Sequence, residues 1–280
     1  MKTWPRPFVV SALLATCLLL PAACQTSPTA TASAAALPPP ATAPATAPAT
    51  AAARPHIPID QPASKMTDPN WAAHHQRLLN RARQGDVDLY LEGDSITDFF
   101  ATTGRAVYEK EFGGWKTADF GISGDTCQNV LWRLQNGELD GVKPKVFMLM
   151  IGTNNSGSYS SEEIAQGVTA IVKLLKEKEP QAKILLLAIF PRNATAANAT
   201  RIKLNQVNDT IAKLDDGRQV KYLNINDKFL DAQGTLSRDI MRDLLHPTAR
   251  GYQIWADAVK PQLTEWLGAP AATQPAPAAP

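Results

Sequence analysis

The feature that most limits what this chain can fold into is a set of short apolar runs without polar alternation. Residues 146–151 read Val-Phe-Met-Leu-Met-Ile and residues 184–190 read Ile-Leu-Leu-Leu-Ala-Ile-Phe. A strand with one wet face alternates, so strands like these are buried on both faces, as in a parallel sheet covered by helices on each side. Three further runs, at residues 87–91, 117–120 and 220–225, bring the expected strands to five. Segments with helical spacing lie between them. Behind Ser161, Glu162 and Glu163, the residues Ile164, Val168, Ile171, Val172 and Leu175 recur at three- and four-residue steps until Pro180 ends the pattern. Residues 196–214 carry Ile202, Val207, Ile211 and Leu214 similarly, and residues 249–267 form a last helix. The expectation is a three-layer α/β domain with about five parallel strands.

This alternation occupies only part of the 280 residues. Between Gln25 and His56, 28 of 32 residues are Ala, Pro, Thr or Ser, and residues 270–280 repeat that bias without a charge. Such segments lack the apolar bulk to offset the entropy of ordering a chain, and are expected to be disordered. The chain carries 28 basic and 26 acidic residues; setting aside residues 1–60, with Lys2, Arg6, Arg54 and Asp60, leaves 25 of each. A neutral domain gives no sign of the basic face that nucleic acid would require.

At the N-terminus, Lys2 and Arg6 precede an apolar stretch over residues 8–20 that ends in Pro21, Ala22, Ala23 and Cys24. That is the layout of a secretory signal, and thirteen residues are too few to span a bilayer as a helix. The ending resembles a bacterial lipobox, with Pro21 where the pattern usually has Leu. The expected organisation is a signal over 1–24 with Cys24 as the lipidated residue, a linker over 25–64, a domain over 65–268 and a tail over 269–280. The expected location is therefore the bacterial cell envelope, reached through a lipid anchor in the membrane, with plain secretion as the alternative. Of the three cysteines, Cys17 would leave with the signal and Cys24 would carry lipid, which leaves Cys127 as a single thiol, expected to be buried and inert.

In open parallel sheets the ligand sits beyond the carboxyl ends of the strands, so the polar residues that follow each run are the candidates for chemistry. After the first run comes Gly93-Asp94-Ser95. A Ser on a tight strand-to-helix turn can present its hydroxyl outward; alternatively, Asp94 or Ser95 merely caps the next helix. A nucleophilic Ser needs a base. His56 lies in the tail, and His74 and His75 are expected at the surface of a polar helix, with no third ligand spaced for a metal. His246 remains, three residues after Asp243; the pair could also be a helix-end ion pair. Two other post-strand loops offer donors for an oxyanion: Gly121, in Gly121-Ile122-Ser123-Gly124, where the backbone can approach a substrate closely, and Asn154, in Gly152-Thr153-Asn154-Asn155, through its side-chain amide. Arg192, after the fourth run, is a further candidate for lining the site. Asn193 and Asn198 match glycosylation sequons but are read as a loop and a helix start.

Gly93-Asp94-Ser95, Gly121, Gly152-x-Asn154 and Asp243-x-x-His246 together resemble the four motif blocks of the SGNH (GDSL-type) hydrolase superfamily. Within it, residues 120–126, 130–134, 136–139, 143–146, 152–155 and 180–184 are similar to the type Ib platelet-activating factor acetylhydrolase group. The resemblance implies a flavodoxin-like α/β/α sandwich and no metal or organic cofactor. It implies Ser95 as nucleophile, His246 as base, Asp243 as the orienting carboxylate, and Ser95 N–H, Gly121 N–H and the Asn154 amide as the oxyanion hole. The wider superfamily often has Asp at the position of Asn155, whereas this group carries Asn. The implied activity is hydrolysis of short-chain esters, acetyl above all, on a saccharide or a lipid. A phospholipid-directed or thioester activity with the same triad, or a non-catalytic binding module, are the rivals. The group also implies a homodimer.

Overall fold

The computed structural model describes residues 56–271; the signal, Cys24 and most of the linker expected before them, and the tail from residue 272, lie outside the described residues. Helix α1 (Pro69–Arg83) precedes strand β1 (Leu89–Gly93), followed by the single turn α2 (Ser95–Asp98) and the short α3 (Arg105–Val107). Strand β2 (Thr117–Asp119) leads to α4 (Cys127–Gln135), and β3 (Val146–Met150) leads to α5 (Ser161–Lys178). Strand β4 (Lys183–Leu187) is followed by α6 (Ala199–Ile211), β5 (Val220–Leu223) and the closing α7 (Ala249–Leu267). The five strands are all parallel and ordered β2-β1-β3-β4-β5. This is the doubly wound order whose direction reverses between β1 and β3, and the crevice at that switch point is where ligands bind in such sheets.

The unbroken apolar runs behave as expected of strands covered twice. Tyr90, Phe147, Leu149, Ile184 and Leu186 point into one core, packed by α1, α4, α5 and α6. Leu89, Leu91, Val146, Met148, Met150, Leu185 and Leu187 point into the other, packed by α7 and the residues around α3. Each fully buried Leu, Ile or Val contributes roughly 1.5–3 kcal/mol relative to exposure, and both faces collect such residues. The helix starts are fixed by side chains. Ser160 and Glu163 form a reciprocal capping box at α5 (Glu163 N to Ser160 Oγ 3.2 Å, Ser160 N to Glu163 Oε2 2.8 Å). Asn198 accepts from Thr200 N at 3.0 Å and from Asn193 Nδ2 at 2.9 Å, so the second sequon does open a helix.

Three expectations change. Residues 57–64, assigned to the linker, lie on the domain: Ile59 is buried beside Gly167 and Cys127, Ala63 N donates to Gln128 O at 3.0 Å, and Tyr159 Oη donates to Ile57 O at 2.8 Å. One apolar side chain in a Pro- and Ala-rich stretch is enough to dock it. His56 likewise pairs with Glu163 at 2.9 Å instead of lying in a tail. At the other end Ala271 N donates to Gly114 O at 2.9 Å, so the ordered chain passes residue 268. His75 is buried, not at the surface. Its Nδ1 lies 2.8 Å from Glu138 Oε1 and its ring stacks on Trp71 and meets Trp132, because α1 turns that side toward α4. Cys127 is buried, as expected, and burial raises its thiol pKa far from the thiolate range.

Candidate active site

The turn after β1 is set by Asp94, whose Oδ1 accepts Ile96 N–H at 3.0 Å and caps α2. The cap and the placing of Ser95 are thus parts of one turn: the cap fixes the start of α2, and with it Ser95 at the first position, which keeps 7% of its surface exposed. Ser95 Oγ lies 2.9 Å from His246 Nε2, and His246 Nδ1 lies 2.6 Å from Asp243 Oδ2. Asp243 and His246 do not stand on a helical turn as spaced in sequence. Leu244 takes a left-handed φ of +63°, and the Asp243 carboxylate accepts the N–H groups of Leu245 (3.1 Å) and His246 (2.7 Å), which closes a tight turn before Pro247. Burial works against the charge of Asp243, but these bonds and the imidazole hold its carboxyl below the ordinary range. An ionised Asp243 can only accept, so Nδ1 carries the hydrogen, Nε2 is left as the acceptor, and Ser95 donates to it.

The loop after β2 brings a correction. Gly121 N–H, expected to face an oxyanion, donates to Asp119 Oδ1 at 2.8 Å. The glycine serves packing instead, since a Cβ there would lie 2.5 Å from Asp98 N and 2.9 Å from Asp94 O, on the backbone of α2 and its cap. The next amides are also engaged: Ile122 with Gly93 O, Ser123 with Asp98 Oδ2, Asp125 with Ile122 O and Thr126 with Asn129 Oδ1. Gly124, in a left-handed conformation at φ +78°, is the residue of this loop whose N–H finds no acceptor among the described residues. Ser95 N–H, at the head of α2, is free in the same sense. Asn154 follows β3 and gives one amide hydrogen to Asp125 O at 2.9 Å, which leaves its second. Asn155 turns the other way: its Oδ1 receives Cys127 N at 3.0 Å and its Nδ2 donates to Gln128 Oε1 at 2.9 Å, fixing the start of α4. Arg192 contacts Thr153 O and Oγ1 at 3.4 and 3.3 Å, at the edge of the post-β3 loop.

Beneath these loops lies a charge cluster that the sequence reading missed. Arg133, wholly buried on α4, donates to Asp125 Oδ2 (2.7 Å), Glu92 Oε1 (2.7 Å), Glu138 Oε2 and Phe120 O (2.9 Å). One guanidinium thereby joins the ends of β1 and β2 to the loop that carries Gly124. Burial pushes the Glu92 carboxyl well up against the opposing pull of Arg133, and burial likewise raises Asp119. The available signal was an Arg three residues after Val130 on an apolar helix face, and a Glu at the end of an apolar strand. Among the described residues no group of three or more His, Cys, Asp or Glu is arranged to hold a metal ion.

A serine hydroxyl hydrogen-bonded to an oriented imidazole, with free amide donors on the loops at the switch point of a parallel sheet, is an arrangement able to carry out acyl transfer. Residues 92–254 match the model of the GDSL-like Lipase/Acylhydrolase family. The chain belongs to the GDSL-like lipase/acylhydrolase family. Relatives of this acylhydrolase include subunit alpha2 of platelet-activating factor acetylhydrolase IB from Rattus norvegicus, 36% identical over 186 residues that cover 66% of this chain and 80% of the relative. Subunit alpha1 from Homo sapiens is 33% identical over 201 residues, 69% of this chain and 85% of that one. Solved structures with the same fold include a GDSL-like lipase from Bacteroides thetaiotaomicron (TM-score 0.55, 18% identity, 71% of this chain and 98% of the other). An acetylxylan esterase from Geobacillus stearothermophilus is another (TM-score 0.52, 20% identity, 66% and 96%). The acylhydrolase is thus an enzyme of the carboxylic ester hydrolase type, on the expected α/β architecture.

Proposed function

We propose that this acylhydrolase removes small acyl groups, acetyl above all, from ester-linked alcohols through Ser95, His246 and Asp243. The observation that carries the proposal is the continuous hydrogen-bonded line from Asp243 through His246 to Ser95, with 2.6 and 2.9 Å at its two links. Ser95 Oγ attacks the ester carbonyl as its proton passes to His246 Nε2, and the imidazolium formed faces the ionised Asp243. The oxyanion is received by Ser95 N–H, Gly124 N–H and the second amide hydrogen of Asn154. His246 then returns the proton to the leaving alcohol, and a water molecule repeats the sequence on the acyl-enzyme. The preference for acetyl is supported by relatives at 33–36% identity that are named for acetyl hydrolysis. Export through the segment before residue 25, with Cys24 carrying lipid, belongs to the same proposal and would hold the enzyme at a bacterial envelope.

The test is p-nitrophenyl acetate hydrolysis with fluorophosphonate labelling. Ser95→Ala and His246→Ala are each expected to lower turnover by about 10⁴-fold or more, and Asn154→Ala by about 10²- to 10³-fold. Labelling should map to Ser95 and disappear in Ser95→Ala. Parent-level activity in either of the first two variants would remove the triad.

A further inference from the structure

A cleft of about 380 Å³ opens where the loop after β2 meets α1, with Lys65, Asp68, Asn70, His74, Ser123 and Gly124 among its walls. Two of these walls are tied to the reacting groups. Gly124 carries the free N–H of its loop, and its carbonyl accepts Lys65 Nζ at 2.6 Å. Ser123 donates both its N–H (3.2 Å) and its hydroxyl (2.5 Å) to Asp98 Oδ2, and Asp98 ends the helix that Ser95 begins. His74 Nε2 lies 3.8 Å from the other oxygen of Asp98. An ester whose carbonyl oxygen is held at Gly124 therefore has this cleft beside it.

The chemistry of the walls discriminates between alcohols. Asn70 and Ser123 are exposed, Asn70 offering an amide with both donor and acceptor ends. Asp68 offers the oxygen it does not use in capping α1, where Oδ1 accepts from Asn70 N and Trp71 N. Burial lowers the His74 pKa while Asp98 opposes it, so the imidazole is mainly neutral at pH 7 and presents one donor and one acceptor. The apolar residues at this cleft, Trp71 and Ile122, are themselves buried at 4% and 2% exposure. A long alkyl chain would meet polar groups there, and a phosphodiester would face the Asp68 carboxylate. Lys65 is already engaged by Gly124 O and by Asp125 Oδ1 at 3.3 Å. A ring carrying several hydroxyls is the ligand whose alternating donors and acceptors match these walls.

We infer that this cleft binds the leaving alcohol and that the alcohol is a saccharide, so that the enzyme deacetylates sugar esters. The inference rests on the ester-hydrolase reading of Ser95. In the acylation step the bond from Ser95 Oγ to the acetyl carbon forms and the bond from that carbon to the sugar oxygen breaks. The sugar oxygen leaves with the proton that His246 took from Ser95, water hydrolyses the acetyl-enzyme to acetate, and the freed hydroxyl stays in the cleft until release.

The experiment compares kcat/KM on partially acetylated xylo-oligosaccharides, a 1-alkyl-2-acetyl glycerophosphocholine and p-nitrophenyl acetate, for the full chain and its Asn70→Ala and His74→Ala variants. The parent should prefer the sugar ester to the phospholipid. Each variant should lower the ratio of sugar-ester to p-nitrophenyl activity by about tenfold, mainly through KM, the effect of one neutral hydrogen bond. Deacetylated oligosaccharide should also inhibit p-nitrophenyl acetate hydrolysis competitively in the parent protein, a readout independent of any variant. A preference for the phospholipid, ratios unchanged in both variants, or no competition would overturn the inference while the ester-hydrolase reading stands. Failure of the parent to hydrolyse p-nitrophenyl acetate at all would overturn both.

Discussion

Asp94 stands between two opposed demands. Its Oδ1 must accept Ile96 N–H to shape the turn that presents Ser95, yet the side chain is fully buried and its Oδ2 has no partner among the described residues. Burial pushes its pKa up to about 7, with the Ile96 bond pulling the other way. The unfolded chain releases this proton near its ordinary value, about 3.9, so between about pH 4 and pH 7 the folded state holds a proton that the unfolded state has lost. The stability it contributes is full below about pH 4 and is lost as pH rises through 7, a swing of about 4 kcal/mol. Asp94→Asn keeps an acceptor for Ile96 and removes the titration. Its urea midpoint should fall less between pH 4 and pH 8 than that of the parent, and an equally steep fall would count against this account. The two glycines of the β2 loop should separate in the same spirit. Gly124→Ala has room for its Cβ but strains a left-handed φ by about 1–3 kcal/mol, so it should fold and lose turnover. Gly121→Ala would place its Cβ against the backbone of α2 and should show its loss in thermal stability. The hydrogen-bonded line of Ser95, His246 and Asp243 was legible in the sequence because the chemistry proposed for it needs those side chains. Gly124 was not, because a backbone donor leaves no side chain to read, and only the hydrogen bonds made by its neighbours single it out.

Helix α4 carries the clearest tension between an element's pattern and its contents. Its apolar face includes Arg133, buried among Glu92, Asp125 and Glu138, with Asp125 also taking Trp71 Nε1 at 2.7 Å. Removing one partner from such a group leaves uncompensated buried charge, which is far more damaging than never having built the group. Arg133→Met is expected to destabilise the fold by about 3–5 kcal/mol in urea titrations. Arg133→Lys should not rescue it, since an ammonium cannot reach three carboxylates with the fixed fork of a guanidinium. A Lys variant with parental stability would show that net charge, not geometry, holds the loops. At this scale the sequence was informative wherever an element is decided by its own period: α5 and α7 begin and end where their spacing and caps say. The strands were placed to within three residues at either end, since apolar character runs beyond the hydrogen-bonded ladder, as with Val87 before β1 and residues 188–190 after β4. The Arg133 group was invisible because charges in a helix read as solvent-facing until three distant segments are seen to converge on them.

For the whole molecule, the question is where the Ala- and Pro-rich stretch ends and the domain begins, and composition alone misplaces that point. The Ala- and Pro-rich stretch continues up to the domain without a visible break, yet Ile59 fills a site against Gly167 of α5 and Cys127 of α4, a site that only a glycine at 167 leaves open. Around it the backbone of residues 57–63 is tied down by Tyr159, Gln128 and Asn129; Asn129 Nδ2 donates to Ala63 O at 2.8 Å. Gln128 and Asn129 belong to the same first turn of α4 that Asn155 fixes from the site side, so the strap and the loops after β2 and β3 share a support. Deleting residues 1–55 should therefore leave the melting temperature of the domain unchanged. Deleting residues 1–64 removes a buried isoleucine, worth about 1.5–3 kcal/mol, together with these hydrogen bonds. For a domain of this size that corresponds to a fall of roughly 5–10 °C in Tm. Because Lys65 stays in place beside Gly124, p-nitrophenyl acetate turnover of the shorter chain at 20 °C should drop less than its stability. Equal melting temperatures for the two truncations would mean that the strap only rests on the domain, and that the boundary lies at residue 65 after all.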